Sequence, residues 1–317
     1  MQKRRLGKTG LEVSSVILGG NVFGWTIDEA LSFDVLNASF DAGLNTIDTA
    51  DVYSSWVPGN AGGESEVIIG KWLKQGHVSR DKVVLITKVG SDMGDGKRGL
   101  KAAYIQEAVD ASLRRLQTDY IDVYLSHWHD PETPYEETLS AYEKLKAQGK
   151  IRASGGSNLD AIQLQDAMDA AKSNGLSRYD VLQPEYNLYD RAGFEGSLAD
   201  LCAKEDIAVI TYYSLASGFL SGKYKSRANV EGRPRGEGLL KYFDDKGLRI
   251  LAALDQVAIE CGAKPAEISL AWLLAKSTVT APIASATSIA QVSGLINAAG
   301  LSLSLDAVRR LDEAGAH

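Results

Sequence analysis

"IDVYLSHWHDPETPYEETLSAYEKLKAQGKIRASGGSN", residues 121–158, holds one complete strand–helix–strand unit. Ile121–Leu125 is a short apolar run of the kind found in strands buried on both faces. "TPYE" then offers Thr133 as a helix N-cap, Pro134 for the first turn and Glu136 to complete a capping box. Gly149 stands where that helix should stop, and Ile151–Ser154 resumes a strand.

The same rhythm runs outward in both directions. Further strands are expected at Val16–Leu18, Leu44–Ile47, Val83–Thr87, Val181–Gln183, Ile207–Thr211 and Val279–Ile283. "TIDE" places Thr26 as an N-cap three residues before Glu29, and Gly43, Gly76 and Gly175 mark helix ends. "RRLGKTGLEVSSVIL" (4–18) reads as a hairpin around Lys8–Gly10 ahead of the first strand of the repeat. No Pro-, Ser- or charge-rich linker interrupts the series. Eight β-then-α units without a divider predict an α/β protein, a (β/α)8 TIM barrel, with residues 1–317 as one domain. A doubly wound sheet is the competing architecture. The longest aperiodic stretch, about 214–244, follows the seventh strand, where a long loop is usually functional or disordered.

Length alone would suggest two domains, yet α/β barrels reach 317 residues. Apolar residues make up 44% and the net charge is −7, which leaves a full core and no footprint for nucleic acid or an anionic membrane. The basic start "MQKRRLGKTG" has no apolar stretch after it, and no segment approaches about 18 apolar residues. Cys202 and Cys261 read as core thiols in a reducing compartment. A soluble, cytoplasmic protein acting on a small molecule is expected.

Barrel enzymes carry their chemistry where strands finish. Those positions hold Asp48 and Tyr53 after the second strand, Lys88 after the third and His127 after the fourth. Singly, each has a bland reading: a turn acceptor, a packed aromatic, a solvated edge lysine, a core imidazole. Together they form an apparatus for protonating an oxygen as charge develops on it. A phenol titrates near pH 10; an adjacent ammonium should lower that value, a carboxylate keeps the ammonium oriented, and an imidazole can hold a substrate oxygen in line.

At these residues the chain resembles the aldo-keto reductases, and the likeness runs from "KRRLGKTGLEVSSVILGG" (3–20) to "LSLSLDAVRRLDEA" (301–314). Between them "GLNTIDTADVY" (43–53), "ESEVIIGKWL" (64–73), "ITK" (86–88), "YIDVYLSHWHD" (120–130), "YEKLKAQGKIRASGGSN" (142–158), "VLQPEYNLYDR" (181–191) and "ITYYSLASGFLSGKY" (210–224) resemble the family's motifs in the family's order. The resemblance implies a tetrad of Tyr53 as acid/base with Lys88, Asp48 and His127, and hydride transfer between NADP(H) and a carbonyl carbon. It also implies cofactor contacts: Ser157, Asn158 and Gln183 at the nicotinamide carboxamide, Tyr212 stacked on the ring, and Ser214, Leu215 and Gly218 with Lys223 at the pyrophosphate. Gly20 and Asn21 match the cofactor-contacting turn after the first barrel strand. Amides can pair with an amide, and Gly and Ser let backbone N–H groups approach phosphate.

Two regions depart from the family pattern. At the adenosine end, Thr287 stands where members often carry an arginine for the 2′-phosphate. Ser285 and Ser288 add no charge, Gln291 matches the adenine contact, and Leu295 replaces a common asparagine. NADP(H) is expected first and NAD(H) also, with Lys223, Arg227 or Arg233 able to supply the missing charge. The loop at 54–63 is longer than the usual turn and is expected to shape a substrate pocket with Trp25, Trp56 and Trp128.

Two other functions compete. A barrel hydrolase could use the H-x-H pair His127 and His129, aimed to one side by the strand period, but only His77 and His317 remain to complete a metal site. A non-catalytic module could bind nicotinamide chiefly to regulate a partner.

Overall fold

The apolar runs close on one another. In the computed structural model, which describes residues 1–230 and 236–316, eight parallel strands form a closed barrel. A short antiparallel hairpin comes first, β1 (Lys3–Arg5) with β2 (Glu12–Ser14). The barrel strands are β3 (Ile17–Gly19), β4 (Thr46–Asp48), β5 (Val84–Val89), β6 (Ile121–Ser126), β7 (Ile151–Ser157), β8 (Val181–Gln183), β9 (Ala208–Thr211) and β10 (Ala281–Ala284). Each pairs with the next, and β10 returns to β3.

Helices cover the outside: α1 (Glu29–Asp41), α2 (Glu64–Gln75), α3 (Ala102–Leu116), α4 (Tyr135–Ala147), α5 (Ala161–Asn174) and α6 (Ser197–Glu205) follow β4's predecessor through β8 in turn. The segment after β9 carries the four-residue α7 (Gly236–Leu239), then α8 (Asp245–Cys261) and α9 (Pro265–Leu274); α10 (Ile289–Gly300) and α11 (Leu305–Ala314) follow β10. The chain is a (β/α)8 TIM barrel with an N-terminal hairpin. No helix among the described residues is long and apolar enough to cross a membrane. Cys202 and Cys261 are unpaired.

Two hydrophobic layers hold the barrel. An outer layer fills the space between strands and helices, with Ile47, Leu85, Val89 and Tyr124 facing it. An inner layer comprises Ile17, Val84, Ile86, Val123, Leu125, Ala153, Val181, Ala208, Ile210, Ala281 and Ile283, and the hairpin adds Leu6, Leu11 and Val13 to it. Leu6 is wholly buried, so the hairpin stoppers the barrel interior. Gly7 permits the close approach: at φ +53 a Cβ would stand 3.1 Å from Ala208 N and 3.2 Å from Asp180 O.

Two helix starts differ from the sequence expectation. α1 is capped by Asp28, whose carboxylate accepts from Leu31 N, because Thr26 is drawn back to the Val22 carbonyl. α4 starts after Pro134 without a side-chain cap, since the Thr133 hydroxyl donates to Asp130 instead. Strand ends differ too. β4, β5 and β7 run on to Asp48, Val89 and Ser157, past the apolar residues that announced them.

Candidate active site

The period of two along each strand fixes what enters the barrel mouth. Ile17, Val84, Ile86, Val123, Leu125, Ala153, Val181, Ala208, Ile210, Ala281 and Ile283 point inward. Continuing by even steps to or just past each strand's end reaches Gly19, Lys88, His127, Ser157, Gln183, Tyr212 and Ser285, with Asp48 two beyond Thr46 on β4. The polar candidates are thus the last inward-facing positions of their strands, stacked directly above the inner apolar layer.

Lys88 is fully buried and donates three ways: to Asp48 Oδ2 at 2.8 Å, to the Thr49 carbonyl at 2.7 Å and to Tyr53 Oη at 3.1 Å. The second Asp48 oxygen accepts from Gln183 Nε2 at 2.8 Å. Tyr53 sits on a turn pinned by Asp51 N donating to the Lys88 carbonyl at 3.3 Å and Gly63 N donating to the Tyr53 carbonyl at 3.2 Å. The imidazole of His127 lies across from it, ring centroids 6.2 Å apart, with Nδ1 held by Ser91 Oγ at 2.9 Å. That leaves His127 Nε2 as the nitrogen not bound to Ser91.

The electrostatics correct one expectation. Burial, then the Asp48 carboxylate, pushes the Tyr53 phenol well above its usual value rather than below it. Burial draws Lys88 below its ordinary value, with Asp48 opposing. His127 falls to about 3, through burial and the Lys88 charge, so its imidazole is neutral. The resting set is a neutral phenol against a paired ammonium and carboxylate.

Residues matched to the cofactor form a continuous arc around this set. Ser157 Oγ donates to the Gln183 carbonyl at 2.7 Å, Asn158 Nδ2 to the His127 carbonyl at 2.8 Å, and Tyr212 Oη to Asn158 Oδ1 at 2.6 Å. After β9 the backbone is left-handed at Tyr213, Ala216, Ser217 and Gly218. Among the described residues eight non-glycines have positive φ, and five of them (Ser54, Asn158, Tyr213, Ala216 and Ser217) lie on loops at this mouth. Such strain gathers at ligand-holding loops. Leu215 precedes the tight turn, Ser214 Oγ donates back to the Thr211 carbonyl at 3.0 Å, and the Lys223 ammonium lies 3.7 Å from where a Gly218 Cβ would stand. Across the mouth, Ser285 Oγ donates to Asn21 Oδ1 at 2.5 Å, and a Cβ on Gly19 would come 2.7 Å from Ser285 Oγ. Gly20 N donates to the Asp48 carbonyl at 2.7 Å.

Just before α10, Thr287 gives its N–H and hydroxyl to Gln291 Oε1, at 2.8 and 3.2 Å. Ser288 caps α10, whose N-terminus adds partial positive charge there. Leu295 is buried in the outer core, which accounts for an apolar residue at that place. Arg227 donates to the Phe243 carbonyl; Arg233 lies outside the described residues, as does His317.

Aromatic rings rim the opening. Trp25 and Trp56 meet edge-on at 5.4 Å, Trp56 lies 6.0 Å from Tyr53, and Trp128 stacks on His127. The loop at 54–63 is tied down by Ser54 Oγ on the Phe23 carbonyl and Asn60 Nδ2 on the Gly24 carbonyl. His129 Nδ1 faces Tyr135 Oη at 3.0 Å, whereas His127 Nδ1 faces Ser91 Oγ. Among the described residues no cluster of three His, Cys, Asp or Glu is placed to hold a metal ion.

Sequence reasoning missed Ser91, the Gln183–Asp48 bond, exposed Tyr213 on the rim, and Asp51. Asp51 is buried, its Oδ1 has no partner, and burial next to Glu66 raises its carboxyl to about 8. The even-step count along β8 points Gln183 into the barrel mouth, but nothing along the strand pairs it with Asp48, and no comparable signal marks Asp51.

The profile of the aldo/keto reductase family matches residues 15–316. The chain belongs to the aldo/keto reductase family. It is 35% identical over 320 aligned positions to the uncharacterized oxidoreductase YrpG of Bacillus subtilis, covering 99% of this chain and 95% of that protein. It is 32% identical to the aldo-keto reductase AFTS1 of Alternaria alternata, over 98% and 91% of the two chains. A protein of Arabidopsis thaliana named "Probable voltage-gated potassium channel subunit beta" is 33% identical, over 92% and 89%. The family is one of oxidoreductases that generally use NAD(P)H on small-molecule carbonyl compounds.

Proposed function

We propose that this aldo-keto reductase moves hydride between NADP(H) and an aldehyde, ketone or sugar carbonyl, with Tyr53 as general acid/base. The observation that carries the reading is Tyr53 Oη held 3.1 Å from a fully buried ammonium that is itself fixed by a carboxylate. Bound nicotinamide would supply the hydride. Tyr53, neutral at rest, gives its proton to the carbonyl oxygen, and Lys88 stabilises the phenolate left behind. Asp48 keeps Lys88 charged and aimed. Neutral His127 offers Nε2 to the same oxygen, and Trp25, Trp56 and Trp128 cover the substrate.

The donor set suits a dinucleotide: the Ser157 hydroxyl and the Asn158 and Gln183 amides for a carboxamide, and a left-handed turn at 216–218 with Lys223 for phosphates. At the far end, Ser285, Thr287, Gln291 and the α10 N-terminus would take the adenosine and its 2′-phosphate. With no arginine at 287, NAD(H) is accepted as well. Residues 1–317 would act as one unit, in the cytoplasm, on a small-molecule substrate, without nucleic acid or membrane.

NADPH oxidation followed at 340 nm over a panel of aldehydes, ketones and sugars tests this, with Tyr53→Phe as control. Turnover lost by about 10²-fold or more in the control, with cofactor affinity kept, is expected. A protein that binds NADPH but reduces none of the panel favours the second reading, a cofactor-binding regulatory module. The likeness to the Arabidopsis channel subunit is what keeps that reading in view.

A further inference from the structure

Asp48 and Gln183 come from strands on different sides of the barrel, 135 residues apart in sequence, and both are almost completely buried. A carboxylate in such a place needs a donor on each oxygen. Lys88 serves Oδ2 and Gln183 Nε2 serves Oδ1, each at 2.8 Å. Chemistry settles which way the amide faces: an ionised carboxylate only accepts, so the nitrogen of Gln183 must be turned to it and Oε1 turned elsewhere. The main chain of Gln183 is fixed as well, because its carbonyl accepts from Ser157 Oγ at 2.7 Å. Ser157 and Asn158 in turn bond one another at 3.2 Å, and Asn158 holds the His127 carbonyl. Gln183, bonded to Ser157 through its main chain and to Asp48 through its side chain, therefore links the carboxamide-matching residues to the carboxylate behind the proposed proton donor.

We infer that Gln183 is a positioning residue for proton transfer: its amide N–H holds the Asp48 carboxylate in the orientation that aims Lys88 at Tyr53. The inference rests on the proposed carbonyl reduction and adds a second task to a side chain otherwise assigned to the cofactor. A cofactor ligand alone would alter only nicotinamide affinity on substitution. A structural amide alone would alter only stability. A positioning residue alters kcat, and through a group that titrates.

Two substitutions separate these roles. Gln183→Leu removes the donor at every pH, and kcat should fall roughly tenfold or more, the usual worth of a hydrogen bond to a charged group. Gln183→Glu places a second carboxyl against Asp48, and two such groups share one proton at low pH. The protonated form donates to Asp48 Oδ1 as the amide did. Its kcat should therefore approach the parent's at acid pH and fall about tenfold per pH unit above the shared ionisation, where the parent is flat. Cofactor affinity, followed by fluorescence quenching, is measured alongside.

A turnover-independent arm uses the whole chain and its melting temperature. Without its second donor the buried Asp48 carboxylate is left half-satisfied, so Gln183→Leu should lower the melting temperature by an amount that vanishes in an Asp48→Asn background. The coupling together with the acid-favoured Gln183→Glu profile supports the inference. A parent without carbonyl turnover defeats the proposed reaction, and the coupling arm still reports on the Gln183–Asp48 link. Unchanged kcat with weakened cofactor binding, or a stability loss that is equal in both backgrounds, overturns it.

Discussion

Replacing Lys88 by Met tests the electrostatic account most directly. The ammonium lies 3.1 Å from Tyr53 Oη and has no solvent exposure. A unit charge at that distance from a complete phenolate is worth about 5 kcal/mol at an effective dielectric of about 20. With roughly half of the charge developed at the transition state, about 2.5 kcal/mol is lost, close to 10²-fold in rate; full development sets a ceiling near 10⁴-fold. The loss should appear in kcat, equally for small and bulky carbonyls, with cofactor affinity nearly unchanged. Removing one partner of a buried pair also costs the fold about 3–5 kcal/mol, because Asp48 is stranded. The Asp48→Asn/Lys88→Met double variant lacks that stranded charge and should recover stability without recovering turnover. Steady-state rates at saturating NADPH, with circular dichroism melts, read both quantities. A folded, cofactor-binding Lys88→Met protein with kcat within about threefold of the parent would refute the mechanism.

Asp51, with its carboxyl at about 8, binds a proton in the folded state that the unfolded chain has released above about 4. Its contribution is therefore present at acid pH and lost as pH rises towards 8, by at most about 1.4 kcal/mol per unit. Asp51→Asn should melt like the parent near pH 5 and above it at pH 9; parallel curves would contradict the assignment. His127 at about 3 has the opposite sign: its neutral form stabilises the fold above about 6.5 and that contribution is lost as pH falls, while kcat shows no acid limb near 6.5. A limb at that value, absent in His127→Gln, would show a charged imidazole at work. Thr287→Arg should raise the NADPH/NADH ratio of kcat/KM roughly tenfold, mostly through KM, since a guanidinium grips the 2′-phosphate where Thr287 now spends its hydroxyl on Gln291. A parent preference already above about a thousandfold would show that other groups carry that recognition.

The barrel was legible because its information is periodic. Short apolar strands alternating with capped helices admit few packings, and all eight strand runs form barrel strands. Boundaries were less legible for a physical reason: β4 and β5 end on Asp48 and just past Lys88, polar residues that close an apolar run in sequence but continue the ladder in space. The helix starts failed where a nearer acceptor claimed the capping hydroxyl, as Asp130 claims Thr133. Asp48, Tyr53, Lys88 and His127 could be named as a set, but their partners could not. Ser91, Gln183 and Asp51 reach the site through contacts between distant strands and loops, which one strand's pattern does not encode.

The reversal at Tyr53 carries the larger lesson. Read along the chain, a lysine beside a phenol means a lowered pKa, because only the pair is visible. In the fold the same lysine is neutralised by Asp48 and both are buried, so desolvation and the carboxylate together outweigh the ammonium. A phenol kept neutral is the form that can donate. In the proposed transfer the ammonium would gain its advantage only as the proton leaves, when a phenolate in a site of low dielectric has Lys88 as its near cation. Lys88, drawn below its ordinary value, then sets the alkaline end of the working range: reduction should fall off where Lys88 loses its proton, below 10.5, and not where the phenol titrates. In the proposed reaction burial would do two jobs with one arrangement, holding the phenol in its protonated form at rest and sharpening the attraction that appears during transfer.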